Sequence, residues 1–382
     1  MSDLQGFQNA LDALKARGRY RSLQPRAGLD FASNDYLGLA ASPMLRRAAE
    51  EALARGVPLG AGGSRLLRGN ESEHECLEEE AALFYGSERA LFMGGGFTAN
   101  NAIFSALPRP GDLVLFDDLI HASAHDGMRL GRAANQSFRH NDINDAEDKI
   151  TRWRTDGGTG MVWIAVEGVY SMDGDQAPVP DLVALAKRHD AMLVVDEAHA
   201  TGVFGMRGRG LMHAVATQEN IVTLHTCGKA LGASGALICG PAALIETLIN
   251  KARSFIYATA PSPFNAALVR AALRSLEETP ERQQDLLALI DHAHEEAQRT
   301  LGLVGLRSQI IPVIIGEDKA TMALAARLQD QGFDIRGIRP PTVPRGTSRL
   351  RVSVTLNVTR QNVTALFDEI ASARLLAEGG AV

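Results

Sequence analysis

Cysteine is scarce in this chain, and nothing in its placement gives it a structural task. Cys76, Cys227 and Cys239 stand far apart without CxxC spacing, which argues against a disulfide framework and a structural zinc site and points to a reducing compartment, the cytoplasm. Long apolar runs are missing too, since no stretch approaches the ~18 consecutive apolar residues of a membrane span. The N-terminal stretch 1–21 reads as an amphipathic helix carrying Asp12, Lys15 and Arg17, without the apolar core of a secretion signal. Basic runs are absent as well. With 39 Lys and Arg against 45 Asp and Glu the net charge is -6, so neither nucleic acid nor anionic membrane is an expected partner. There is no internal repeat and no low-complexity tract. What remains is ample core material, 45% hydrophobic residues in 382, and a small soluble ligand as the expected partner.

Short apolar runs at 90–93, 113–116, 161–166, 192–195, 221–224 and 236–238 alternate with helical stretches, the pattern of a mostly parallel sheet covered by helices on both faces. Such sheets gather ligands at the carboxyl ends of their strands, and Asp117, Glu167 and Asp196 each close an apolar run. Two longer helical stretches, 263–278 and 280–301, lead into strand-like runs at 310–315, 333–335 and 350–354, which predicts a smaller α+β domain. The divisions expected are 1–45, an N-terminal segment that joins the small domain, 46–275, the large domain, and 276–382, the small one.

Several constellations carry chemistry. Asp196 ends an apolar run in Asp196-Glu197-Ala198-His199, and Lys229 follows on a glycine-flanked loop, Thr226-Cys227-Gly228-Lys229. A buried carboxylate requires a partner, and an amine on such a loop can hold an aldehyde as a Schiff base; together they are what pyridoxal 5′-phosphate needs. Gly94-Gly95-Gly96 opens a helix, and its bare amides suit a phosphate, although a tight turn without ligand accounts for the glycines equally well. The same run fits GxGxxA with Asp117 at the next strand end, so an NAD-dependent oxidoreductase stands as a rival. His121 and His125 share one face if that stretch is helical, but no third ligand completes a metal site. The acidic box Asp196-Glu197-Ala198-His199 imitates that of helicases, yet no GxxxxGK[ST] loop accompanies it. Ser171 lies among turn-forming glycines and aspartates. Arg349 and Arg351 fall on one face of a strand, where an arginine pointing into a site would grip a carboxylate by two parallel bonds.

Taken together, Ser33-Asn34-Asp35-Tyr36-Leu37-Gly38, Gly60-Ala61-Gly62-Gly63-Ser64-Arg65, Gly96-Phe97-Thr98-Ala99-Asn100, the Ser171 and Asp196 segments, the Lys229 loop and Arg349-Leu350-Arg351 resemble the α-oxoamine synthases, in family order and over nearly the whole chain. The resemblance implies a fold-type I pyridoxal-phosphate-dependent transferase of α/β class, with a large mostly parallel α/β/α sandwich domain and a smaller α+β domain. It implies a homodimer with sites at the subunit interface. Arg339-Pro340-Pro341-Thr342-Val343-Pro344 is similar to the biotin-pathway branch, which condenses L-alanine with a pimeloyl thioester carried by acyl carrier protein or coenzyme A.

Carried over to this sequence, the resemblance makes Lys229 the Schiff-base lysine, Asp196 the partner of the pyridine nitrogen and His121 the ring-stacking, proton-handling group. Ser171 and His199 fall on the ring-hydroxyl side, with Thr226 beside the lysine. Gly96 and Phe97 hold the phosphate, with Thr259 reaching from the neighbouring subunit. On the substrate side Arg351 takes the alanine carboxylate and Asn34 the reacting end, while Arg21, Arg339 and Thr342 take the acyl chain.

Overall fold

The computed structural model describes residues 4–379. Its strands in chain order are β1 (Leu29–Asp30), β2 (Arg89–Met93), β3 (Leu113–Asp117), β4 (Ala134–Phe138), β5 (Val162–Glu167), β6 (Met192–Asp196), β7 (Ile221–Thr226), β8 (Ala236–Gly240), β9 (Ile310–Gly316), β10 (Phe333–Asp334), β11 (Arg336–Ile338) and β12 (Ser348–Ser353). The chain falls into two compact units, Asn34–Ser171 with Asp175–Leu287, and Met1–Ser33 with Met172–Gly174 and Ala288–Val382. The divisions therefore follow Ser33 and Leu287 instead of residues 45 and 275. Packing explains the shift: helix Pro43–Ala54 and helix Pro263–Glu278 lie against each other, which keeps both segments in the larger unit.

The larger unit holds a seven-stranded sheet of order β2-β8-β7-β6-β5-β3-β4, parallel except for β8, which is antiparallel to both its neighbours. Each apolar run expected from sequence is a strand of this sheet. Strand periodicity sorts its side chains into two cores. Val114, Phe116, Trp163, Ala165, Met192, Val194, Val222 and Leu224 pack on one face with helices Gly96–Ala106, Ala122–Leu130 and Ala242–Lys251. Leu115, Ile164, Val166, Leu193, Val195 and Ile221 pack on the other, with helices Ile143–Thr155 and Val179–Arg188. β4 escaped the sequence reading because it is an edge strand, Ala-Asn-Gln-Ser-Phe, exposed over most of its length and without an apolar run.

The smaller unit pairs β9, β12 and β11 in an antiparallel sheet of order β11-β12-β9, and β1 with β10 in a parallel pair. The N-terminal helix spans Leu4–Ala16 and stops short of the expected 21 residues. Gly18, at φ 65°, ends it in a left-handed cap, with Arg19 N donating to Leu14 O at 2.8 Å. Among the described residues no helix is long and apolar enough to cross a membrane.

One tight turn of the larger unit bears directly on Lys229. Gly232 N donates to Lys229 O at 2.9 Å, closing the loop between β7 and β8. Gly232 has φ 65°, and a Cβ there would come within 2.5 Å of Ala40 N and 2.7 Å of Leu39 Cβ. Gly232→Ala is therefore expected to cost roughly 1–3 kcal/mol of stability and to displace the Lys229 loop. A denaturation midpoint equal to the parent's would show that the loop relaxes without cost.

Candidate active site

The site of the larger unit is built by strand parity. Glu167, Asp196 and Thr226 are the last residues of β5, β6 and β7, and each continues the alternation that carries Ala165, Val194 and Leu224 to the face of helix Gly96–Ala106. Glu167 and Asp196 are register partners across the β5–β6 ladder. Glu167 and Asp196 thus stand side by side at one edge of a buried sheet, with Thr226 on the same face two residues beyond Leu224, the register partner of Asp196.

Asp196 is 9% exposed and held from both sides. Asn100, on the facing helix, donates from Nδ2 to Asp196 Oδ2 at 2.8 Å, and Ala198 N donates to Oδ1 at 3.0 Å. The same Asn100 amide lies 2.9 Å from Ser123 Oγ, and Ser123 Oγ lies 2.8 Å from His121 Nδ1. Both Asn100 and Ser123 are buried. Sequence reasoning gave neither a role, although an asparagine on the apolar face of a helix is a detectable signal.

His121 precedes helix Ala122–Leu130 as its N-cap and is not part of it, so it shares no helical face with His125. His125 instead meets the Phe116 ring edge-on at 5.0 Å. Among the described residues no group of three His, Cys, Asp or Glu is placed to hold a metal ion. The protein packed around the His121 ring holds its pKa below the ordinary histidine value, Asp196 pulls it back up and the Lys229 ammonium adds to the lowering.

Lys229 Nζ lies 2.7 Å from His199 Nε2, and His199 Nδ1 lies 2.6 Å from the Tyr36 hydroxyl, which in turn donates to Asn34 Oδ1 at 3.0 Å. His199 is 4% exposed, so the imidazole is a fixed relay between lysine and phenol. Tyr36 is a link that the sequence reading passed over. Thr226 donates to Ala198 O at 3.3 Å, which ties the ends of β6 and β7 together.

Helix Gly96–Ala106 begins after Gly95 with no side chain capping its first amides. A Cβ on Gly94 or Gly95 would meet nothing within 4 Å, whereas one on Gly96 would strike Thr226 Cγ2 at 2.8 Å, so the turn needs glycine at Gly96 and stays open ahead of it. Uncapped amides at a helix N-terminus form an anion site. With the amine of Lys229 and the anchored carboxylate of Asp196 these residues fit pyridoxal phosphate. Phe97 is half-exposed at the first turn. Thr259 lines a cleft with Arg65, Gly94, Thr98 and Ser254 of its own chain.

Asp117 has the other parity and faces away. It accepts from Asn141 N and Leu119 N, each at 2.8 Å, and pairs at 2.9 Å with His140 Nδ1, whose Nε2 pairs with Asp175 at 2.7 Å. Its acceptors are therefore taken up within the protein. β2, the strand before the glycines, adjoins only β8 and ends the sheet, far from the strand-order reversal where a dinucleotide fingerprint belongs. The dinucleotide reading of Gly94 and Asp117 has no structural counterpart here. On the loop after β5, Ser171 N donates to Glu167 Oε2 at 3.1 Å.

In the smaller unit, Arg351 on β12 is 6% exposed and donates to Ser353 Oγ at 2.5 Å. Its strand-mate Arg349 is committed to Asp173 and donates to Met172 O at 3.2 Å. Arg21, Arg339 and Thr342 converge: Arg21 Nη2 donates to Thr342 Oγ1 at 3.3 Å, and Arg339 Nη2 donates to Tyr20 O at 2.8 Å. Arg339 is held below the usual guanidinium range by burial and by Arg21, against the pull of Asp318.

A family profile described as aminotransferase class I and II matches residues 26–370. The 8-amino-7-oxononanoate synthase of Chromobacterium violaceum is 42% identical over 90% of this chain and 88% of its own length. That of Geobacter sulfurreducens is 42% identical over 90% and 91%. Among solved structures, a serine palmitoyltransferase from S. paucimobilis with bound PLP and myriocin matches with a TM-score of 0.88 at 27% identity over 98% of both chains. The 8-amino-7-oxononanoate synthase from Francisella tularensis matches with a TM-score of 0.77 at 27% identity, over 92% of this chain and 99% of that one.

His140 supplies a stability signature for the loop that carries Ser171. Burial opposes its charge, but the bonds to Asp117 and Asp175 prevail and raise its pKa to about 10. A pKa raised by folding gives stability that is complete below the unfolded value of about 6.5 and is lost as pH rises through the folded value. The stability gap between the parent and His140→Asn is therefore expected to narrow as pH climbs across that window, read from urea midpoints. A constant gap would mean that His140 acts without its charge.

Proposed function

The chain belongs to the aminotransferase class I and II family and is a pyridoxal-phosphate-dependent enzyme of the acyltransferase type, and from this we propose that it condenses L-alanine with a pimeloyl thioester. The product would be 8-amino-7-oxononanoate, in biotin synthesis, with carbon dioxide and the free thiol carrier, acyl carrier protein or coenzyme A, released. In balance, a bond forms between the alanine α-carbon and the thioester carbonyl carbon as the C–S bond breaks, and a proton takes the place of the lost carboxylate. The working form is a cytoplasmic homodimer in which Thr259 reaches the neighbouring subunit's phosphate site.

The observation that carries this reading is the convergence of Asp196 and the His199–Lys229 pair, 2.7 Å apart, at the carboxyl ends of β6 and β7 beside an uncapped helix N-terminus. When bound, pyridoxal phosphate supplies an electron sink for the α-carbon of the amino acid. Asp196, locked by Asn100 and Ala198 N, holds a proton on the ring nitrogen. Lys229 Nζ takes the proton from the α-carbon, with His199 fixing the amine's position through Tyr36. His121, its pKa held below the ordinary histidine value by burial, would lie against the ring and handle protons at the reacting carbon. Gly96 and Phe97 would give their amides to the phosphate, and Ser171 and His199 would hold the ring-hydroxyl side. Asn34 serves the reacting end.

Arg351 binds the alanine carboxylate, and replacing it removes a charge-assisted pair worth roughly 1.5–3 kcal/mol. Arg351→Ala is thus expected to weaken alanine binding on the order of 10- to 150-fold while leaving cofactor loading nearly intact. Unchanged alanine affinity would place the carboxylate elsewhere.

The acyl assignment rests on relatives bearing the synthase name and on the Arg21–Thr342 hydrogen bond with Arg339 beside it, a polar cluster suited to the far end of a pimeloyl chain. Condensation of alanine with pimeloyl, acetyl and succinyl thioesters at equal concentration tests it. Pimeloyl is expected to be strongly preferred, and Arg21→Ala and Thr342→Ala to erode that preference more than they alter alanine use. If acetyl or succinyl thioester is the better substrate, a different synthase of the same family is at hand and the biotin assignment falls.

A further inference from the structure

Glu167 has no part in the reaction as set out above, yet it is the most deeply committed carboxyl in the site. It ends β5 on the same face as Asp196 and in register with it, and it is 2% exposed. Its oxygens are unequally satisfied: Oε2 accepts the Ser171 amide at 3.1 Å, while Oε1 is buried without a hydrogen-bond partner among the described residues. A buried carboxyl oxygen left unpartnered is costly, and in native proteins it calls for an explanation.

Sheet order supplies one. The strands run β7-β6-β5, so Thr226 lies to one side of Asp196 and Glu167 to the other. Pyridoxal phosphate carries its phosphate arm and its ring oxygen on opposite edges, with the nitrogen between them at one end and the aldehyde carbon at the other. With the nitrogen at Asp196 and the phosphate on the Thr226 side, against Gly96, the ring-oxygen edge turns toward β5. We propose that Glu167 is a cofactor-contacting acid that, in its protonated form, donates a hydrogen bond from Oε1 to the ring oxygen of pyridoxal phosphate. The inference rests on the pyridoxal-phosphate reading of the site.

The charges around Glu167 are consistent with this. Burial pushes its carboxyl up to about 8, Asp196 on β6 and Asp117 on β3 add to the rise, and Lys229 after β7 and the Ser171 amide oppose it. Tyr170, on the loop that follows Glu167, is itself pushed far up by burial and by the neighbouring carboxylates, so it offers no charge. Asp196 beside it accepts a donor on each oxygen, from Asn100 Nδ2 and from Ala198 N, whereas Glu167 accepts on Oε2, from Ser171 N.

The test measures the dissociation constant of pyridoxal phosphate from the apoprotein between pH 6.5 and 9.5, in the parent and in Glu167→Gln, whose amide keeps a donor that does not titrate. Above about pH 8 the parent must regain a proton on binding, so its affinity is expected to fall relative to the glutamine variant by up to about tenfold per pH unit. Glu167→Ala, lacking the donor, is expected to bind more weakly at every pH. A purely structural role would leave parent and Glu167→Gln parallel across the range, and that result would overturn the proposal. In the apoprotein near pH 6.5 the parent is expected to show the infrared carbonyl band of a protonated, buried carboxyl that disappears on alkalinisation through about pH 8 and is missing from Glu167→Gln, which separates it from the Glu197 carboxyl, itself pushed up to about 7. No such band would equally overturn it.

Discussion

A carboxyl group kept at the buried end of a parallel strand, with both oxygens needing donors, is the constraint on which the rest of this architecture turns. Each oxygen of buried Asp196 accepts a protein donor, Asn100 Nδ2 and Ala198 N, in place of water. Asn100 must come from a helix lying directly on that face of the sheet, and this fixes helix Gly96–Ala106 and so the open amides at its N-terminus. The anion site and the carboxylate are therefore two consequences of one packing contact.

Strand parity then gives three neighbouring acids different fates. Glu167 and Asp196 share a face, but Asp196 accepts a bond on each oxygen while Glu167 Oε1 has no partner among the described residues. Glu197, one residue on, turns to the opposite side and accepts the amides of Leu211 at 3.1 Å and Met212 at 2.7 Å, with its own carboxyl pushed up by burial to about 7. It pins a loop in which Gly210, at φ 92°, leaves no room for a Cβ, which would stand 2.8 Å from the Glu197 carboxylate. The same chemical group is fully partnered in Asp196, half partnered in Glu167 and a loop staple in Glu197, according to which donors reach it.

The basic residues follow a parallel logic. Arg349 and Arg351 occupy alternate positions of β12, yet Arg349 is taken by Asp173 and Arg351 rests on a serine hydroxyl, a partner that a stronger anion displaces readily. His140, clamped between Asp117 and Asp175, is charged for a structural reason and holds the loop that follows β5. Its charge is what makes Asp117 unsuited to a ribose.

Through six apolar runs the sequence by itself determined six strands of the sheet, and it marked Asp196 at a strand end and Lys229 on a glycine-flanked loop, whereas His199 came forward only through the family resemblance. It did not disclose β4, whose residues are polar because an edge strand has one side in water, nor the end of the first helix, which a single left-handed glycine decides. The roles of Asn100, Ser123, Tyr36 and His140 were hidden for a different reason: each acts on a residue distant in sequence, and no local pattern records that contact. Glu167 was visible as the close of an apolar run, but whether a buried acid is charged depends on the donors around it. Those donors arrive from separate elements, so only the tertiary structure could decide it.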